Sequence, residues 1–172
     1  RLSSEYGYRY FVVDKERDEE GKIISSTYIR EMLADGNIIK ANKLLGYYYF
    51  VTGTVQHGNA IGHTKLYPTA NLIPPAVKHL PKFGVYVTRV TVDGKTYGGL
   101  TNVGAKPTIS GENPVGVETY LYNFEGDLYG KDMKVELLDF VRPEMKFESI
   151  GALKAQLDHD IKECQRRYLE FA

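Results

Sequence analysis

The chain has 172 residues, 22 basic and 22 acidic side chains and a formal net charge of zero, so no global field favours nucleic acid or an anionic membrane. That length buries one respectable core, with a short appendage, and no apolar run approaches the roughly 20 residues needed to cross a bilayer. The single cysteine, Cys164, excludes a disulfide framework or a thiolate zinc cluster; with no signal-peptide pattern at the start, a reducing, cytoplasmic setting is expected.

In chain order, Tyr8–Val13 reads as a strand and the charged run Asp14–Lys22 as a solvated loop. Ser25-Ser26-Thr27 offers hydroxyl N-caps for a helix to about Ala34, stopped by Asp35-Gly36. A second helix is predicted from about Asn37 to Leu45, ending at Gly46. The pair is too small to bury a core of its own.

From Tyr47 the texture changes to short β-runs split by Gly, Pro and Asn. Strands are predicted at Tyr48–Gln56, around Ala70–Ile73, at Val85–Val92, at Lys95–Thr101 after an Asp93-Gly94 hairpin, at Val115–Phe124 and at Met133–Arg142. Six strands without intervening helices argue for an antiparallel barrel or sandwich. After Ser149, a helix carries Ile150, Leu153, Leu157, Ile161, Cys164 and Tyr168 as one apolar stripe, expected to dock on the outside of the barrel.

The chemistry concentrates in Gly53–Asn71. Gly53, Gly58 and Gly62, with His57 among them, let a backbone turn tightly and bring its N–H groups to an anion. Pro68-Thr69-Ala70-Asn71 follows, and on an extended segment Thr69 and Asn71 project from one face as neutral oxygen ligands suited to Mg²⁺. A phosphate loop before a metal-holding pair points to phosphoryl transfer, and a glycine-rich hairpin with Thr and Asn satisfying turn backbone is the alternative. Glu118, within Val117-Glu118-Thr119, is a candidate base for an alcohol proton, or else a strand carboxylate facing water. The Asn102-Val103-Gly104-Ala105-Lys106-Pro107-Thr108 segment and Arg142-Pro143-Glu144 are two further polar clusters at strand ends.

Taken together, the Gly53–Gly58 loop, Pro68–Leu72, Gly84-Val85-Tyr86, Asn102–Thr108, Val117–Thr119, Asp127–Lys131 and Arg142–Phe147 resemble, in order, the riboflavin kinase module of bacterial bifunctional riboflavin kinase/FAD synthetase. The resemblance implies a six-stranded antiparallel Greek-key barrel with a C-terminal helix, converting ATP and riboflavin to ADP and FMN. It implies Mg²⁺ on Thr69 and Asn71, and nucleotide contacts also from Gly53, His57, Gly58 and Gly62. Glu118 would be the general base, with Arg142 as a second catalytic residue. Asn102, Lys106, Thr108 and Glu144 would serve the flavin-side loops. One departure is that Leu66-Tyr67 stands where the family usually has Gly and a large apolar residue, and another is His63 in place of an Arg. Leu does not adopt glycine-only angles cheaply, so a different loop path is expected.

Residues 1–46 resemble the end of the partner module, an FMN adenylyltransferase, through Ile24–Arg30. No glycine-rich, histidine-containing nucleotide motif precedes Ser25, so FAD synthesis is not expected, and 47–172 is expected to be the kinase domain. A flavin-binding or regulatory domain without turnover is the alternative, and a β-barrel interaction module a third reading.

Overall fold

The computed structural model describes residues 2–56, 67–105 and 115–171. Its elements are α1 (Leu2–Tyr6), α2 (Ser26–Asp35), α3 (Ile38–Leu45), β1 (Phe50–Thr54), β2 (Ala70–Leu72), β3 (Gly84–Val92), β4 (Lys95–Ala105), β5 (Val115–Leu121), β6 (Asp132–Pro143) and α4 (Ile150–Tyr168). All six strands join one antiparallel sheet in the order β1-β6-β3-β4-β5-β2. Strands β3, β4 and β5 run consecutively and β6 returns beside β3, which is the Greek-key arrangement. The sheet curls until its end strands approach: Gln56 N donates to Asn71 O at 2.9 Å across an isolated bridge.

The helix ends follow from local chemistry. Ser25 Oγ accepts from Tyr28 N, and Gly36, at φ 81°, takes the left-handed conformation that ends α2. Asn37 caps α3 in the same way, accepting from Lys40 N. The tight β3–β4 turn places both Asp93 (φ 50°) and Gly94 (φ 71°) at positive φ, which matches the right-handed twist of the flanking strands.

Alternation along the strands sorts residues between two faces. Inward go Val51, Leu72, Tyr86, Val90, Val103, Val117, Leu121, Val135 and Leu137, forming one core with Leu33, Ile38 and Ala41 of the helical hairpin. Each fully buried aliphatic side chain there contributes about 1.5–3 kcal/mol. Three buried threonines also face inward, their hydroxyls linked from Thr88 to Thr101 to Thr119 at 2.9 Å each, so none is left unpaired. Outward, Val85, Val87, Leu100, Tyr122 and Leu138 pack under Cys164, Ile161 and Tyr168 of α4.

Two expectations differ from the structure. Tyr8–Val13 forms no strand, and its side chains stand in solvent, Phe11 at 86% exposure. Apolar alternation favours a strand only where a neighbouring strand accepts its backbone, and none lies beside it among the described residues. The charged run is also more ordered than a solvated loop. Arg17 and Ile23 form a bridge, while Asp18 accepts from Glu20 N, Lys22 N and the Tyr28 hydroxyl.

Candidate active site

The register of the sheet assembles one row of residues. Asn71 on β2 lies opposite Glu118 on β5, Glu118 opposite Asn102 on β4, Asn102 opposite Val85 on β3, and Val85 opposite Arg142 on β6. Directly opposed residues project from the same face, with Cβ atoms about 4.5–5.5 Å apart. The face is the outer one, because Val85 belongs to the cluster beneath α4. Asn71, Asn102 and Glu118, which come from three different strands, therefore present two amides and a carboxylate side by side.

Each is held differently. Asn71 is 7% exposed, and its Nδ2 donates to Thr69 O at 3.3 Å. That bond uses the donor end of the amide, and the acceptor end is the one a cation would take. Thr69 itself is exposed, just before β2 begins. Glu118 is half-buried in the middle of β5. Gly53 lies at the seam of the barrel, where a Cβ would come 3.7 Å from Ile73 O and 3.8 Å from the Leu72 side chain.

Two residues beyond Asn102, Gly104 pairs with Gly116. A Cβ on Gly104 would fall 1.9 Å from Glu144 Oε1, so the Glu144 carboxylate occupies the space that a side chain would fill. Glu144 is thereby brought to the same face as Asn102 and Glu118. Arg142 is engaged elsewhere: its Nε and Nη2 donate to Asp160 Oδ2 at 3.0 and 2.6 Å, and Nη1 donates to Pro143 O at 2.9 Å. Asp160 is 1% exposed and also accepts from Gln156 Nε2 at 2.8 Å. Such a fork fixes the exit of β6.

His57, Gly58, Gly62, Lys106 and Thr108 lie outside the described residues. Asp160 is the residue the sequence reading missed. The helix stripe predicted packing alone, yet α4 buries a carboxylate among its apolar positions, while Ile150 at the start of the stripe is exposed. A carboxylate one turn from Cys164 was the available signal, since a buried charge requires a cation. The thiol of Cys164 is pushed up to about 12 by burial and then by the Asp160 charge, so it is no nucleophile.

Among the described residues, no three His, Cys, Asp or Glu side chains gather to hold a metal. The neutral oxygens of Thr69 and Asn71 suit Mg²⁺ that keeps waters and phosphate oxygens as its other ligands. No described helix is long and apolar enough to cross a membrane.

Comparisons with known proteins converge on the same region. Two curated bifunctional riboflavin kinase/FMN adenylyltransferases are similar to this chain. That of Listeria monocytogenes is 38% identical over 149 residues, covering 87% of this chain and 47% of the relative. That of Escherichia coli is 39% identical over 143 residues, covering 83% and 45%. The chain thus spans about half the length of the curated relatives it matches. A solved Streptococcus pneumoniae chain described as a macrolide-efflux protein superposes with a TM-score of 0.82 at 38% identity, over 95% of this chain and 53% of that one. A riboflavin kinase from Trypanosoma brucei shares the fold, with a TM-score of 0.51 and 22% identity over 69% of this chain and 75% of its own. Residues 45–168, which hold the barrel, α4 and the whole polar row, match the flavokinase family model, and the chain belongs to the riboflavin kinase family.

Proposed function

We propose that this chain phosphorylates riboflavin with ATP, releasing FMN and ADP. The observation that carries the reading is the register that sets Glu118 between Asn71 and Asn102 on one face of the sheet. In this reading the terminal ribityl hydroxyl lies against Glu118. The carboxylate takes the hydroxyl proton as the alcohol oxygen bonds to the γ-phosphorus and the bond to the β-phosphate oxygen of ADP breaks.

Thr69 and Asn71 would hold Mg²⁺, which when bound neutralises charge on the phosphates. Because the transition state is loose, alignment and charge stabilisation do most of the work, and a placed base adds about 10²–10⁴-fold. Asn102 and Glu144 face the riboflavin side. Arg142, locked to Asp160, acts by holding the strand end that carries Glu144. The nucleotide side takes Gly53 together with His57, Gly58 and Gly62, and the flavin side adds Lys106 and Thr108. A cytoplasmic location accords with one buried, unpaired cysteine. The adenylyltransferase activity belongs to the curated relatives, and here the α2–α3 hairpin serves as a packing element on the barrel.

Incubation with riboflavin, ATP and Mg²⁺, with FMN measured by chromatography, tests the reading. FMN formation that requires all three supports it. Flavin binding without FMN points to a regulatory domain, and no flavin binding at all removes the kinase reading.

A further inference from the structure

Helix α4 touches both sides of the candidate site through two carboxylates set two residues apart. Asp160 holds Arg142 on the β6 side. On the β2 side, the Tyr67 hydroxyl donates to Asp158 Oδ1. That bond, with burial of the phenol, raises the Tyr67 pKa and keeps it a neutral donor. The Tyr67 ring packs on Tyr120, with centroids 5.2 Å apart and planes at 58°. Tyr120 stands two residues from Glu118 on the same face of β5 and meets Tyr122 edge-on at 5.9 Å. Tyr67 therefore joins α4, β5 and the chain that leads into β2.

Its place in sequence gives that junction a consequence. Between Tyr67 and β2 lie only Pro68 and Thr69, and neither belongs to a strand. On the far side, the backbone is fixed where Asn71 O accepts from Gln56 N. Thr69 is suspended between these two anchors, with Pro68 stiffening the near side. An exposed hydroxyl on a short linker keeps its position only as well as its two ends are held.

We propose that the Tyr67–Asp158 hydrogen bond is a strap from α4 that sets Thr69 for the Mg²⁺–nucleotide half of the site, making Tyr67 and Asp158 positioning residues. The inference rests on the kinase reading. The strap is selective: it acts on the phosphate end, whereas Asp160 acts on the opposite strand end.

Tyr67→Phe keeps the ring stack and removes the hydroxyl, Asp158→Asn changes the acceptor, and the double variant closes the cycle. Calorimetric titration with Mg²⁺–ADP should show affinity lowered about two- to tenfold in each, the range of one net hydrogen bond. Coupled residues predict that the double variant is no weaker than the worse single one. The KM for ATP should rise with it while kcat and the KM for riboflavin hold. Amide hydrogen exchange across residues 67–71 should quicken in the unliganded variants. Unchanged Mg²⁺–ADP affinity in an active protein overturns the strap alone, even if exchange quickens, because the strapped residues would then be ones the nucleotide does not use. Equal losses for ATP and riboflavin with a lowered melting temperature also overturn it, as a packing effect. A wild-type protein that forms no FMN and binds no Mg²⁺–ADP overturns the kinase reading and the strap together.

Discussion

Strands β4 and β5 each run from a half covered by α4 to a half beyond that helix, and the two halves of the same outer face carry different chemistry. In the covered half, Leu100 and Tyr122 pack under the helix, and Gly98 admits the Tyr168 ring, which would lie 3.0 Å from a Cβ there. In the polar half, the same alternating positions hold Asn102, Gly104, Gly116 and Glu118. Glycine recurs for two reasons: at Gly98 it makes room for an apolar helix, and at Gly104 for the Glu144 carboxylate. The contrast teaches that stability and chemistry occupy different lengths of one pair of strands, with Asp160 at their border.

The sharpest way to break that division is at the border itself. Asp160→Ala leaves the Arg142 guanidinium without its anion in a site that is largely buried, and should cost about 3–5 kcal/mol in urea denaturation. Activity should fall as well, because the β6 exit loosens. A loss below about 1 kcal/mol would mean that water reaches Arg142 freely.

A single change in the polar half should do the opposite. Glu118→Gln is expected to lower kcat by about 10²-fold or more, leaving the melting temperature and Mg²⁺–ADP affinity intact. Unchanged turnover would remove Glu118 as the base.

The two glycines separate the halves directly. Gly98→Ala places a methyl 2.9 Å from Tyr122 Cδ2, and overpacking of this kind typically costs about 1–3 kcal/mol; the KM for riboflavin should not move. The atoms nearest a Cβ at Gly104 are the far end of an exposed Glu144, so for Gly104→Ala stability should change by less than about 1 kcal/mol. Its effect should instead appear as a raised KM for riboflavin.

The smallest effect lies on the outside of α4. Hydrogen bonds from Arg166 and Arg167 hold the Glu163 carboxyl near 2, below its ordinary 4.5. A depressed folded-state pKa contributes stability that is complete above pH 4.5 and is lost as the pH falls through about 2. Glu163→Gln should therefore flatten the acid limb of stability across that window. Wild type and variant should converge at its lower end.

Much of the fold was legible because it is written locally. Ser25 as a cap, the helix start at about Asn37, Gly36 and Gly46 as stops, Asp93-Gly94 as a hairpin and the six β-runs all depend on neighbours within a few residues. The oxygen-bearing residues were legible as types. Their meeting was not, because the pairing of Asn71 with Glu118 is a long-range register that no local pattern specifies. Tyr8–Val13 failed for a related reason: its alternation describes a side-chain pattern and not the presence of a partner strand. Asp160 and Asp158 were hidden in a helix whose apolar spacing accounted for its docking without them, and Tyr67 was legible as a departure from the family but not as a tether to α4.

Among the described residues, the barrel closes at the backbone bridge from Gln56 to Asn71, beside a β2 only three residues long. Closure of the sheet and placement of the Asn71 amide are therefore one event. Anything that clasps Asn71 from outside also bolts the seam shut, so the protein should melt at rising temperature as Mg²⁺ and nucleotide are added together. The last stitch of the fold doubles as a gauge of occupancy.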